Sequence, residues 1–330
     1  MSATQHRRIV ERVMTRLKLR QLRLLIAVGR HGNIQAAAGE LNVSQPAATK
    51  MIKDLELDFE VQLFERTNRG VIPTAAGEAL IRHGKLIFAQ VSHAAQELDD
   101  LAVGSRGREV VGTLLAASSR LLPEAIGRLL ASRPRVAVRV VEGTNEVLMP
   151  ALRAGEIDLV VGRLPTHRHR EDLEQVPLFQ ERIVLVAGRE HPLAGRDAVT
   201  FDDLRPHGWI LPPPGTTLRR QVDRFFVEMD GYAPPGVVES VSFLTNRALL
   251  GQGSLLGFLP SQVASRGVAA GVMTTLPFDV PFGAGPVGVS FRGEDRMSPA
   301  GRALLDALRA VAEEIARGTS QISAVDRAGK

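Results

Sequence analysis

The 330-residue sequence predicts a multidomain chain: an all-α domain with a two-stranded wing over residues 1–74, one long helix over 75–104, two successive α/β units over 105–320, and a flexible tail at 321–330. Three observations predict it. Residues 33–56 read as two short helices around a tight turn, the apolar residues after Thr74 fall on a heptad seam, and strand and helix patterns alternate from residue 108 onward. The length supports roughly two domains. A hydrophobic content of 44% with 23% charged residues is an ordinary globular balance.

There are no cysteines, which excludes a disulfide framework, thiolate metal sites and a cysteine nucleophile, and fits a reducing compartment. The first ten residues hold no apolar run of signal-peptide length and no stretch approaches a membrane span, so a soluble, cytoplasmic protein without membrane contact is expected. The net charge of +5 is unevenly spread. Residues 1–53 hold ten Lys and Arg against Glu11 and Glu40, an excess of eight, whereas the remainder sums to −3. A basic amino-terminal segment is the footprint expected of phosphate binding.

The elements follow in order. Ile9, Val13, Leu17, Leu24 and Val28 recur at helical or near-helical spacing, which predicts a helix from about Lys18 to Arg30, extended backward. His31-Gly32-Asn33 ends it. Asn33 caps a first short helix and Ser44 a second, with Leu41-Asn42-Val43 as the turn and Pro46 in the second helix's first turn, where its missing N–H costs nothing. Ala48, Met51, Ile52 and Leu55 form the buried stripe of that second helix. Ser44, Gln45, Ala47, Thr49, Lys50 and Lys53 lie opposite, short or basic groups able to approach a DNA groove. Alone, this is equally an αα-hairpin with a solvated face; its coincidence with the basic excess favours DNA. Asn68-Arg69-Gly70 between β-prone pieces then reads as the turn of a wing, with Arg66 and Arg69 at its tip.

The residues Leu19-Arg20-Gln21-Leu22, Ala36-Ala37, Leu41 through Ala47, Leu55-Glu56, Leu63-Phe64-Glu65-Arg66 and Thr74-Ala75-Ala76-Gly77 together resemble the LysR-type transcriptional regulators, over roughly the first 80 residues. The resemblance implies a winged helix-turn-helix that reads an interrupted palindrome in double-stranded DNA as a homodimer or homotetramer, and that contacts RNA polymerase. It also implies a small-molecule effector of unknown identity, no other cofactor and no metal. The DNA-facing residues expected are Arg20, Asn33, Ser44, Gln45, Pro46, Ala47, Thr49, Lys50, Lys53, Arg66 and Arg69. One departure stands out. The family usually has Leu-Gly where this chain has Phe59-Glu60, so either Glu60 accepts a left-handed turn or the helix ends differently.

From Thr74 to about Val103, Leu80, Gly84, Ile87, Val91, Ala94, Leu98 and Leu101 form a seam that predicts pairing with another chain, the dimerising linker helix that the resemblance implies. Gly84 is read as the point of a partner helix's close approach. Gly104-Ser105-Arg106-Gly107 reads as a hinge. Strands are expected at Val110–Ala117, Val136–Glu142, Asp158–Gly162, Ile183–Ala187, Trp209–Leu211, Val237–Val241, Leu255–Leu259 and Gly285–Phe291. Helices are expected at Leu121–Ser132, Val147–Ala154, Leu218–Met229, Leu244–Leu250 and from Ser298 to about Gly318. This order implies parallel sheets covered by helices, and resembles a two-lobed solute-binding domain in which the last strand and helix return to the first lobe.

In open α/β sheets ligands sit beyond the carboxyl ends of the strands, which selects Ser118, Ser119, Arg120, Thr144, Asn145 and Arg163 in the first unit and Thr216, Thr217, Ser242 and Phe243 in the second. Ser118, Thr144 and Thr217 could instead be plain N-caps. As a set they predict a cleft for a small polar effector, with Arg163 either pairing an anionic group or forming a surface ion pair. The overall pattern of the chain resembles both the branch of the family that responds to sugars and the branch that responds to aromatic acids, which leaves the effector class open between the two. No enzyme is expected. Gly251-Gln252-Gly253-Ser254-Leu255-Leu256-Gly257 has one residue too many for a dinucleotide fingerprint and precedes a strand, and no Walker A loop, G-x-S-x-G elbow or H-E-x-x-H occurs. His167 and His169 lie in an Arg-rich loop without a carboxylate ligand beside them. The competing reading is a solute-binding protein without a regulatory role.

Overall fold

The computed structural model describes residues 3–67, 70–103, 107–165 and 173–328. They fall into two compact units, one within residues 1–95 together with 154–156, and one within 96–153 and 157–330.

The amino-terminal unit starts with α1 (Ala3–Arg16) and α2 (Leu19–His31); α2 is the helix expected from about Lys18 to Arg30, and what lies before it is a separate helix, not a backward extension. The break is at Lys18, whose backbone is extended (φ −112°, ψ 137°) and whose N–H donates to Gln21 Oε1 at 2.9 Å, so α2 begins afresh with its own cap. Gly32, left-handed at φ 61°, closes it. The helix-turn-helix is α3 (Ile34–Glu40) and α4 (Gln45–Phe59). Asn33 Oδ1 accepts from the Gln35 and Ala36 N–H groups at 2.7 and 3.2 Å, Ser44 Oγ accepts from Ala47 N–H at 3.4 Å, and the chain reverses at Asn42 (φ 53°), a residue that tolerates the left-handed region. Leu22, Leu25, Val28, Ala37, Ala48, Ile52 and Leu55 close one core between α2, α3 and α4, which fixes the opposite face of α4 outward.

At the far end of α4, Glu60 takes the left-handed turn (φ 55°, ψ 34°), and Val61 N–H returns to Glu56 O at 3.1 Å. Of the two alternatives for Phe59-Glu60, the strained one is adopted. Strands β1 (Phe64–Thr67) and β2 (Gly70–Pro73) pair antiparallel as the wing; its Asn68 and Arg69 lie outside the described residues. Thr74 Oγ1 donates to Gln62 O at 2.7 Å and accepts from Gly77 N–H at 3.0 Å, and a Cβ on Gly77 would stand 2.0 Å from Leu63 O, which explains the Thr74–Gly77 pattern. Helix α5 (Ala75–Val103) follows, and the hinge residues 104–106 lie outside the described residues. Gly84 is buried against α2, where a Cβ would meet Ile26 and Leu22 at 3.4 and 3.8 Å; it admits the domain's own helix, not a partner's. Leu80 also packs into this core. Ile87, Val91, Ala94 and Leu98 are exposed members of the seam.

The second unit holds two five-stranded sheets. The first is built from β3 (Arg108–Thr113), β4 (Ala137–Glu142), β5 (Leu159–Arg163), β6 (Glu174–Glu181) and, from the end of the chain, β12 (Gly285–Phe291), in the order β4-β3-β5-β12-β6. Helices α6 (Leu115–Ser118), α7 (Leu121–Ser132), α8 (Asn145–Arg153) and α13 (Pro299–Ala328) accompany it, and α13 packs along α7. The second sheet, order β11-β7-β10-β8-β9, uses β7 (Ile183–Gly188), β8 (Gly208–Leu211), β9 (Val237–Glu239), β10 (Leu255–Pro260) and β11 (Met273–Thr275), with α9 (Phe201–Leu204), α10 (Thr217–Glu228), α11 (Phe243–Leu250) and α12 (Ser261–Ala269). The expected return of the last strand and helix to the first lobe is present.

Four expectations are corrected. The strand expected to reach Ala117 stops at Thr113, because Leu115-Ala116-Ala117 are helix formers and turn into α6. Neither sheet is purely parallel: β12 runs antiparallel to β5 and β6, and β7 to β10 and β11. Strand β6 was hidden in the sequence by Pro177, which is tolerated because β6 is an edge strand with a register shift opposite Val287/Gly288. The last helix continues to Ala328, so the tail expected from residue 321 is helical to that point.

Candidate DNA-reading face and ligand cavity

On α4 the geometry leaves a short, open, basic face. Gln45, Pro46, Ala47, Lys50 and Lys53 are exposed and Thr49 is half-buried. Ser44 and Asn33 are exposed too, but their side-chain oxygens are already spent on helix N–H groups, so they shape the face more than they read from it. Arg20 on α2 and Arg66 on β1 are exposed, while Arg69 lies outside the described residues. Among the described residues Arg20, Lys50, Lys53 and Arg66 make no ion pair, which leaves them free for phosphate or base. The neighbouring acid is neutralised: Glu40 accepts from His31 Nε2 at 2.7 Å and also pairs with Arg30, and these partners, His31 first, hold its carboxyl below the usual range.

In the second unit a cavity of about 450 Å³ lies between the two sheets' lobes. Ser118, Thr144, Asn145 and Arg163 line it from the first lobe, and Thr216, Thr217, Ser242 and Phe243 from the second. Ser119 does not; it ends α6 with its Oγ buried and without a partner. Two of these hydroxyls are helix caps, but they are Thr216 and Ser242, not the Ser118 and Thr217 for which a capping role was the alternative. Thr216 accepts from Arg219 N–H at 3.3 Å and Ser242 from Thr245 N–H at 3.3 Å, while Ser118 donates back to Leu115 O at 3.0 Å.

Arg163 has a different task from either one expected. Its Nη2 donates to Gly283 O and, at 3.4 Å, to Glu181 O, so one guanidinium ties the two segments that cross between the lobes. Burial pushes it below its ordinary value, with Glu181 opposing. The Glu181 carboxylate accepts from Ser261 Oγ at 2.5 Å and Arg182 N–H at 3.0 Å, and burial raises it.

Sequence reasoning missed Asn246. Asn145 on α8 and Asn246 on α11 are 6% and 7% exposed, each lines the cavity, and each has a buried side-chain oxygen without a partner. A usable signal was present, since Phe243, Asn246 and Leu250 share one face of α11 at helical spacing and an amide among apolar residues is out of place there. Thr113, Glu142, Glu146 and Gln221 were also missed and line the cavity. His167 and His169 lie outside the described residues, and among those described no helix is long and apolar enough to cross a membrane.

Comparison with known proteins gives one consistent result. Residues 19–78 match the family model of the bacterial regulatory helix-turn-helix protein, lysR family, and residues 102–313 match that of the LysR substrate binding domain. The chain is 35% identical to the HTH-type transcriptional regulator GbpR of Azospirillum brasilense over 90% of this chain and 87% of that one. It is 31% identical to the HTH-type transcriptional regulator PcaQ of Agrobacterium fabrum over 93% and 98%. Among solved structures it is similar to CbnR, a LysR family transcriptional regulator, at 27% identity and a TM-score of 0.60, covering 90% of this chain and 99% of that one. Full-length CbnR complexed with its target DNA matches at 26% identity and a TM-score of 0.60, over 89% and 100%.

Proposed function

The chain belongs to the LysR family of DNA-binding transcriptional regulators, and from that premise we propose that it is a ligand-responsive regulator acting in the cytoplasm as a homodimer or homotetramer. The amino end of α4 enters the major groove with Gln45, Thr49 and Lys50 nearest the bases and phosphates, Lys53 and Arg66 add phosphate contacts, and α5 pairs through Ile87, Val91 and Leu98 so that two copies read an interrupted palindrome. A small polar molecule between the lobes biases their arrangement and thereby the contact with RNA polymerase.

The observation that carries the ligand half of this reading is the pair Asn145 and Asn246. Leaving a buried polar atom unpaired costs about 1–3 kcal/mol, and here both lobes accept that cost in the wall of one cavity. A ligand bearing hydrogen-bond donors recovers it by drawing the lobes around itself. A thermal-shift screen of sugars and aromatic carboxylates identifies the ligand class, and calorimetry on Ser118→Ala and Thr217→Ala then tests the site. Affinity falling about tenfold in each variant, the size of one lost hydrogen bond, supports it; unchanged affinity in both refutes it. Because binding free energies couple reciprocally, a regulator's ligand affinity also changes when its DNA is bound, which a solute-binding protein's would not.

A further inference from the structure

The leader helix α1 is placed against the exit of the recognition helix. It packs along α4, with Ile9 buried beneath it. From its middle Arg12 reaches across with both arms of its fork: Nη1 donates to Leu57 O at 3.0 Å and Nη2 pairs with Glu60 Oε1 at 2.6 Å. One turn on, Arg16 stands 3.8 Å from the carboxylate of Asp58. An exposed ion pair alone contributes little. These contacts are different in kind, because they fall on the end of a helix whose last carbonyls lack partners and on a non-glycine residue held left-handed at φ 55°. Glu56, one turn back, is already engaged with the wing, accepting from the Leu63 and Phe64 N–H groups at 2.9 and 3.4 Å. The turn at Glu60 therefore sets the angle between the recognition helix and the wing.

We propose that α1 is a built-in splint for DNA reading, and that Arg12, by gripping Leu57 O and the Glu60 carboxylate, is a positioning residue that holds α4 and the wing in one orientation without itself touching DNA. The splint stands in for the conformational freedom that a glycine at position 60 would supply.

The test uses the full-length protein, a duplex selected from a random pool by that protein, and affinity measured across a salt series. Arg12→Ala lowers affinity about tenfold, the size of one residue's left-handed strain, while the slope of log affinity against log salt stays at the wild-type value. Glu60→Gly alone is tolerated, and added to Arg12→Ala it restores affinity to within about twofold, since glycine adopts the turn without support. Arg12→Lys, which keeps the charge and most of the stem but loses the fork, gives a smaller loss rescued in the same way, so the proposal remains testable if Arg12→Ala fails to fold. A slope reduced by about one, as for a lost phosphate contact, or a loss that Glu60→Gly does not rescue, or no loss in either Arg12 variant, overturns it.

Discussion

The open face of α4 and the wall of the cavity between the lobes keep their polar groups in opposite states. On α4 Ser44 spends its oxygen on a helix N–H and leaves Gln45, Lys50 and Lys53 in solvent. Around the cavity Asn145 and Asn246 are withdrawn from solvent with their oxygens unpaired. The difference fits the ligands proposed for the two surfaces. A duplex offers charge along its whole length, so exposed, mobile cations suffice to gain affinity. A small molecule offers a few groups, so the protein holds its own in place and carries their desolvation beforehand.

Acid should separate the two regions most sharply. In the second lobe His191 is 2% exposed, its Nδ1 accepts from Leu193 N–H at 3.2 Å, its Nε2 is buried without a partner, and its ring lies 4.4 Å from that of His207. Burial first and His207 second push it down to about 4, and burial and Arg196 lower His207 as well. Between its ordinary value of 6.5 and about 4 the unfolded chain binds a proton that the folded chain refuses, so stability falls as pH drops through that window and levels off below it. The loss from His191 reaches about 3 kcal/mol at most. Trp209, the chain's one tryptophan, is buried in the core of the same lobe and reports its melting. In the amino-terminal unit the shifted acid is Glu40, lowered by His31 and Arg30, so its contribution is present above 4.5 and is lost only below that. Tryptophan melts from pH 6.5 to 4 should thus weaken in wild type and much less in His191→Gln; identical pH dependence in both rejects the assignment.

A second test reverses the sign of one kind of substitution. Ser44→Ala removes a satisfied cap and should destabilise the amino-terminal unit by about 1 kcal/mol. Asn246→Leu removes an amide whose buried oxygen has no partner and should stabilise the second unit by about 1 kcal/mol while abolishing its ligand response. Calorimetric melting of the two variants checks the signs. Destabilisation by Asn246→Leu would mean that the amide is a structural partner and not a ligand group.

The same contrast explains what could be read from the sequence. Asn33, Ser44, Pro46 and Asn42 act within four residues of themselves, so caps, turn and buried stripe were all legible from spacing. The cavity unites residues from position 113 to 260, and reading helix starts found only those of its polar residues that also sit at caps or strand ends. Asn246, one turn inside α11, carries no such mark, and Thr113 was passed over because the strand that ends on it was expected to run on to Ala117. Arg163 was legible as a strand-end cation, but its partners Glu181 and Gly283 are 18 and 120 residues away. Glu60 was legible as an anomaly; Arg12, 48 residues earlier, was not legible as its remedy.

The smallest expected effect lies within the α4 face and divides it. Lys50 and Gln45 both stand exposed near the start of the recognition helix, but an ammonium is a point charge whereas an amide presents a donor and an acceptor in fixed relation. If Lys50 meets phosphate, Lys50→Ala weakens binding a few-fold on a selected duplex and on a mixed-sequence duplex alike, and lowers the salt slope by about one. If Gln45 reads a base edge, Gln45→Ala loses affinity on the selected duplex only, with the slope unchanged. Fluorescence anisotropy with both duplexes over a salt series measures all four quantities. A Lys50→Ala loss confined to the selected duplex would move Lys50 to base reading and leave the phosphate contacts to Lys53, Arg20 and Arg66.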